Sequence, residues 1–181
     1  MNAGHFWQLI KQARANTEQM GDLPAWIRAH LKEHSVEYII GFEEQLHAFS
    51  CQAYDARLWA AAGLMLGFCS DDVFTDFRGW LIAQGKTVYD FALDNPDTLA
   101  DVEPINGDYG TARLFHMLYA PTKAYREKIG DDIADLPTDY TKPVLLNENV
   151  LELDEVKLKE MFPKLYAKYR PVSDAMFSPR A

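Results

Sequence analysis

Hydrophobic positions along the chain recur at steps of three and four, the spacing of one helix face. Asn2 can cap a first helix in which Phe6, Ile10, Ala13 and Thr17 share a face, with Trp7 and Leu9 widening it. Gly21 breaks that pattern, and Pro24 suits the first turn of a second helix reaching about His34, with Ile27 and Leu31 inward. Ser35 caps a third, in which Ile39, Phe42, Leu46, Phe49 and Ala53 face a neighbour. The next segment differs. From Leu58 to Leu66, after a start at Asp55, it is apolar on every side, and the apolar run extends to Phe68. In a water-soluble chain this predicts a central helix, about residues 56–67, covered all round. Its alanines and Gly63 admit close neighbours, and Gly67 ends it.

The stretch Cys69–Gly85 has a start, a face and a stop. Ser70 is a good N-cap, and Asp71 and Asp72 fall in the first turn, where free amide groups and the helix dipole favour negative charge. Phe74, Phe77 and Leu81 point to a core, and Gly85 can adopt the left-handed conformation that closes a helix. A connection of a few residues makes this helix and the apolar one before it an antiparallel pair. Beyond it, Thr87 and Asp90 have capping-box spacing, with Asp where Glu is usual, and a short helix to Asp94 buries Val88 and Phe91. Asn95-Pro96 opens a turn to Val102, and residues 103–108 read as a loop. Ala112, Phe115 and Tyr119 mark a further helix, which Pro121 kinks or restarts and Gly130 stops. The last helix carries Val156, Leu158, Met161, Phe162 and Leu165, and Pro163 interrupts it.

No alternating strand pattern appears. The chain therefore reads as all-α, a single compact domain of roughly eight to ten helices. Residues 1–130 form the helical core, 131–153 an acidic surface loop, 154–170 a C-terminal helix packed on the core, and 171–181 a tail in which Met176 and Phe177 can dock. With 181 residues, 48% hydrophobic, the chain can bury a substantial core.

Charge is unevenly spread. The net charge is −9, with −2 in residues 1–69, −7 in 70–108, +3 in 109–130, −7 in 131–155 and +4 in 156–181. An acidic surface argues against nucleic acid, which needs a basic one. It permits a basic protein partner, although basic helices packed beside acidic neighbours give the same pattern. The run Leu58–Phe68 is too short to cross a bilayer, so no membrane association is expected. Met1–Ile10 lacks the pattern of a signal peptide, and the two cysteines, Cys51 and Cys69, suit reduced thiols in the cytoplasm.

Several segments together resemble a known family. They are Phe6-Trp7-Gln8-Leu9-Ile10, Gly41-Phe42-Glu43, Tyr54 to Ala62, Cys69-Ser70-Asp71-Asp72, Phe77 to Gly85 and Asp94-Asn95-Pro96-Asp97. The chain resembles the bacterial family called domain of unknown function 4240 over roughly its first 130 residues. The closing segment Phe162–Tyr169 is similar to that family's usual C-terminal end. The resemblance implies a small bacterial, mostly helical domain and carries no catalytic residues over.

Candidate chemistry centres on Asp71, Asp72, Asp76 and Arg78. Carboxylates grouped this way can hold a hard cation, or act as an acid–base pair tuned by Arg78. A charged helix start with a structural ion pair is the plainer alternative. Asp72 and Asp76 lie one turn apart and repel. Arg78 is better placed for Asp71 or another segment than for Asp76. Trp7, Trp59, Phe77 and Trp80, with Phe6 and Phe74, either line a pocket or simply fill the core. His30 and His34 have the i, i+4 spacing of zinc ligands but no evident third ligand. Neither Cys51 nor Cys69 has an obvious activating base, and His47 and His116 read as structural. There is no phosphate-binding glycine loop and no nucleophile elbow. No metal or cofactor is expected. The leading expectation is a non-catalytic protein-interaction module that neutralises or scaffolds a basic partner, as toxin-immunity proteins do. The alternative is an enzyme or a small-ligand or metal binder built on Asp71, Asp72 and Arg78.

Overall fold

Short polar side chains start the helices where the pattern places them. Asn2 accepts from the His5 amide at 2.9 Å, Ser35 from Tyr38 at 3.3 Å, Asp55 from Arg57 at 2.8 Å and Ser70 from Val73 at 3.3 Å. The computed structural model describes residues 1–102, 117–138 and 154–177, with side chains as far as residue 170. These residues form nine α-helices and two 3-10 turns, with no strand among them. The helices are α1 Ala3–Ala15, α2 Leu23–Lys32, α3 Val36–Gln52, α4 Ala56–Leu66, α5 Asp71–Ala83, α6 Lys86–Asp94, α7 Ala120–Ile129, α8 Glu155–Met161 and α9 Pro163–Phe177. The 3-10 turns are Met20–Asp22 and Pro96–Asp101. The predicted helix through Ala112 and Phe115, His116, most of the acidic connecting loop and the docking of Met176 and Phe177 lie outside the described residues.

The helix α4 carries no exposed residue, and Ala61 and Ala62 are fully buried. It shares the centre with α5, where Gly79 to Ala83 are buried without a break. The apolar run does not stay helical to its end. Gly67 takes a left-handed conformation, φ 76°, and turns the chain outward, leaving Phe68 66% exposed. A second departure concerns α6. Thr87 and Asp90 make no capping box, because the helix begins at Lys86 and Thr87 is already inside it. The inward face of α6 is then Tyr89 and Ala92, and Phe91, expected inside, is 60% exposed. The tyrosine is the better residue to turn inward, because its hydroxyl donates to the Phe49 carbonyl at the end of α3, at 2.7 Å. Pro121 lies in the first turn of α7, which begins at Ala120, and Pro163 opens α9 after Phe162 ends α8.

Distant charged side chains close the helix ends that local residues leave open. The last carbonyls of a helix have no intrahelical partner. Arg14 donates to the Ala83 carbonyl of α5 at 2.8 Å, and Arg57 to the Leu93 and Asp94 carbonyls of α6 at 3.0 and 3.4 Å. Lys128 does the same for Lys32 at the end of α2, at 3.0 Å. The N-terminus of α9 is closed from 67 residues away. Asp97, only 6% exposed on the second 3-10 turn, accepts from the amides of Lys164 at 3.0 Å and Leu165 at 2.9 Å. In return Lys168 of α9 donates to the Ala100 and Val102 carbonyls at 2.6 and 3.0 Å. Phe162 and Leu165 are buried against the core beside this clasp. Hydrogen bonds to a charged group are the strong ones, so Asp97→Ala is expected to cost about 2–3 kcal/mol. Asp97→Asn keeps one acceptor oxygen and is expected to lose about half of that. Urea unfolding of the two variants checks the ordering, and equal stability of Asp97→Ala and the parent would refute it.

Candidate functional site

Four polar residues on α5 made the strongest site in the sequence, and of these the fold turns Arg78 away and leaves only Asp72 and Asp76 facing one another. Asp71 and Asp72 sit in the exposed first turn, and among the described residues no hydrogen bond or ion pair engages either carboxylate. Thr75, one turn on, donates its hydroxyl hydrogen to the Asp71 carbonyl at 2.9 Å and accepts from Arg78 at 3.0 Å. Arg78 turns the other way, toward the end of α3. Its second terminal nitrogen donates to the Ser50 carbonyl at 3.0 Å, and the guanidinium lies over the rings of Tyr54 and Phe74, 4.8 and 5.4 Å from their centres. Burial holds its pKa below the ordinary arginine value, and its Nε is buried without a partner. No ion pair joins Arg78 to Asp71, Asp72 or Asp76. Arg78 is therefore one more cap on a helix C-terminus, here that of α3.

Asp76 is the buried member, 8% exposed. Burial first, and the Asp72 carboxylate one turn away second, push its pKa up to about 6. A carboxyl that titrates there can carry a proton near neutrality. The structure brings Asp72 and Asp76 together, and among the described residues no cation pairs with either.

The aromatic set also divides. Trp59, Phe74, Phe77 and Trp80 form a chain of ring contacts, with centres 4.6, 6.1 and 5.3 Å apart in sequence, through the core. Phe77 is fully buried and Trp80 is 3% exposed, while Trp59 donates its indole hydrogen to the Cys69 carbonyl at 3.1 Å. These three candidates are packing. Trp7 packs on Phe6, Phe49 and Tyr89, and it also lines a cleft between α1 and the start of α6. His30 and His34 are members of a ring ladder, Trp26, His30, His34 and Tyr38, in which successive centres are 5.1, 4.5 and 4.3 Å apart. Among the described residues no three His, Cys, Asp or Glu side chains gather as a metal site requires.

One pairing escaped the sequence reading. His47 and Cys51 share a face of α3, and Nε2 lies 3.3 Å from Sγ, close to Arg78. The i, i+4 spacing was the available signal. Burial raises the Cys51 pKa and lowers that of His47, with Arg78 lowering both to a smaller degree. Near neutrality both groups are thus uncharged, a thiol beside a neutral imidazole, and not the thiolate–imidazolium pair of a nucleophilic cysteine. Cys69 is still less reactive, pushed up to about 12 by burial and by Asp71.

An all-helical domain whose charged side chains close the ends of other helices, with no assembled catalytic set among the described residues, is the class that the geometry defines. The chain belongs to the family of proteins of unknown function DUF4240, whose model matches residues 1–127. The resemblance of Phe162–Tyr169 lies outside that match. No curated protein and no solved structure matches the chain. No helix among the described residues is long and apolar enough to cross a membrane.

Two substitutions test these assignments. Arg78→Ala is expected to destabilise by about 2 kcal/mol, through the freed Ser50 carbonyl and the lost ring contacts. Arg78→Lys should recover less than half, since an ammonium cannot bridge Ser50 and Thr75 while lying flat on two rings. Full stability of the lysine variant in urea would contradict the cap. For Asp76 the sign follows from linkage. Its raised pKa stabilises the fold relative to an ordinary Asp only where it is protonated, and this is lost as pH rises from about 4 through about 6. Asp76→Asn should therefore raise the melting temperature more at about pH 7.5 than at about pH 4. Equal offsets at the two pH values would show that Asp76 is not buried as a titrating acid.

Proposed function

We propose that the chain is a non-catalytic protein-interaction module of the bacterial cytoplasm, binding a basic partner through an acidic surface with apolar anchors. The observation that carries this reading is the turn between α4 and α5. There Gly67 swings Phe68 into solvent, 66% exposed, three and four residues before the unengaged carboxylates Asp71 and Asp72. A large aromatic side chain costs solvation when exposed, and such anchors, ringed by charge, are what interfaces use. The pattern recurs. Phe91, 60% exposed, lies between Asp90 and Asp94, and Ile133, 85% exposed, lies between Asp132 and Asp135. Each anchor offers an apolar contact, and Asp71 and Asp72 offer a lysine or arginine of the partner a counter-charge, whereas Asp90 and Asp135 already pair with Lys86 and Arg126. The two free thiols, Cys51 and Cys69, suit a reducing compartment. The bacterial setting rests on the family likeness.

The test uses the full chain as bait in its own cells, beside the variant Phe68→Ser/Asp71→Asn/Asp72→Asn, whose changes lie on exposed positions and leave the core intact. The expected result is a stoichiometric basic protein recovered by the parent and lost by the variant. Its affinity for the parent should fall about tenfold when salt is raised from about 50 to about 300 mM. Recovery of no stoichiometric partner, or of one that the variant retains, would end this reading.

A further inference from the structure

A buried carboxylate is costly unless hydrogen bonds or a cation answer it. Among the described residues two aspartates are buried, Asp97 and Asp76. Asp97 is answered by the amides of Lys164 and Leu165. Asp76 is not. It is 8% exposed, and among the described residues it has neither a hydrogen bond nor an ion pair. Its oxygens are not among the polar atoms sealed from solvent, so the small exposed part of the residue includes the carboxylate.

The face of α5 explains this placement. Asp72, Asp76 and Gly79 follow one another along it at helical spacing. At Gly79 the chain closes over the helix, so that a Cβ there would lie 3.4 Å from Met117 and 3.3 Å from Leu118. One turn before Asp76, Asp72 is exposed. Asp76 therefore stands where the cover ends, recessed and within reach of the Asp72 charge. Arg78, the arginine of the same helix, is turned away to the Ser50 carbonyl. Two carboxylates on adjacent turns repel, and nothing among the described residues offsets them. Packing does not account for an acid at this position, since the amide of Asp76→Asn should be the more stable near neutrality. A residue that lowers stability where it stands marks a place kept for something other than the fold.

We propose that Asp72 and Asp76 receive a lysine side chain of the basic partner, its ammonium group lying between the two carboxylates. The inference rests on the reading that the Phe68 surface takes a basic protein, and it names the residue type which that surface selects. Asp76 lies one helical turn, about 5 Å, beyond Asp72, itself in the first turn after Phe68. A compact ammonium on a thin stem can enter a recess and point its three donors at two carboxylates, whereas a planar guanidinium forks onto one. A hard metal ion fits poorly, because calcium takes about six to eight oxygens and two carboxylates supply four at most.

The experiment follows the side-chain carboxyl signals of Asp72 and Asp76 by NMR in the labelled full chain. N-acetyl-lysine methylamide, N-acetyl-arginine methylamide and calcium chloride are titrated at about pH 7.5, with sodium chloride at matched ionic strength as the control. The expected result is a saturable shift of both signals with the lysine probe, which binds at least about threefold tighter than the arginine probe. With the lysine probe bound, Asp76 should titrate at least about one pH unit below its value of about 6 in the free chain. Asp76→Asn leaves Phe68, Asp71 and Asp72 in place and should weaken the lysine probe at least about tenfold. Shifts no different from those in sodium chloride would overturn the subsite, as would unchanged affinity in Asp76→Asn. Calcium or the arginine probe binding as tightly as the lysine probe would overturn the choice of lysine. A protein partner held equally by Asp76→Asn and the parent, yet lost by the Phe68 triple variant, would overturn the subsite and leave the broader reading standing.

Discussion

A helix packed into a protein must find partners for the carbonyls at its end, and in this fold those partners are cations from distant segments. The α3 end is closed by Arg78, the α5 end by Arg14, the α6 end by Arg57 and the α2 end by Lys128. Asp97 does the complementary work at the start of α9. Each bond runs between elements, so it fixes how two helices meet as well as closing one of them. A guanidinium suits this task because it can hold a carbonyl and lie on an aromatic ring at once, as Arg78 does on Tyr54 and Phe74. Taking a helix end out of water without such a partner costs more than the bond itself contributes.

This constraint changes what the charges mean. Arg78 beside three aspartates invites a catalytic reading, yet the carbonyl of Ser50 claims it, and the aspartates are left to solvent or, in Asp76, to burial. The segments by which the chain resembles its family contain Asp55, Arg57, Ser70, Arg78, Asn95 and Asp97, and every one of these caps a helix or a turn. They are residues that hold the fold. Function is better sought among polar groups that the fold does not use. Those include the Asp71 and Asp72 carboxylates near Phe68 and the Lys11 ammonium of α1.

The helices themselves were legible along the chain. Steps of three and four between apolar residues, a capping oxygen at starts such as Asn2, Ser35, Asp55 and Ser70, and a glycine at stops such as Gly67 and Gly130 are local properties, and they act within one or two turns. Hence Ser70, Asp55 and Gly67 appear where the pattern puts them, and the lack of any exposed residue on α4 fits its apolarity from Leu58 onward. Phe91 shows the limit of periodicity. Which face of a short helix turns inward depends on its starting residue and on what the neighbour offers, and the Phe49 carbonyl selected Tyr89.

Only the tertiary structure could decide the roles of the charged residues. A cap on α9 from 67 residues earlier, or on α3 from α5, leaves no trace in local spacing, because sequence distance sets neither separation in space nor direction. The same holds for the cleft beside Trp7, whose cations come from α1 and α6, elements far apart in the chain. Backbone preference and hydrophobic burial act on neighbours and are written in order along the sequence. Electrostatic pairing acts through space, and the fold alone determines which charge meets which.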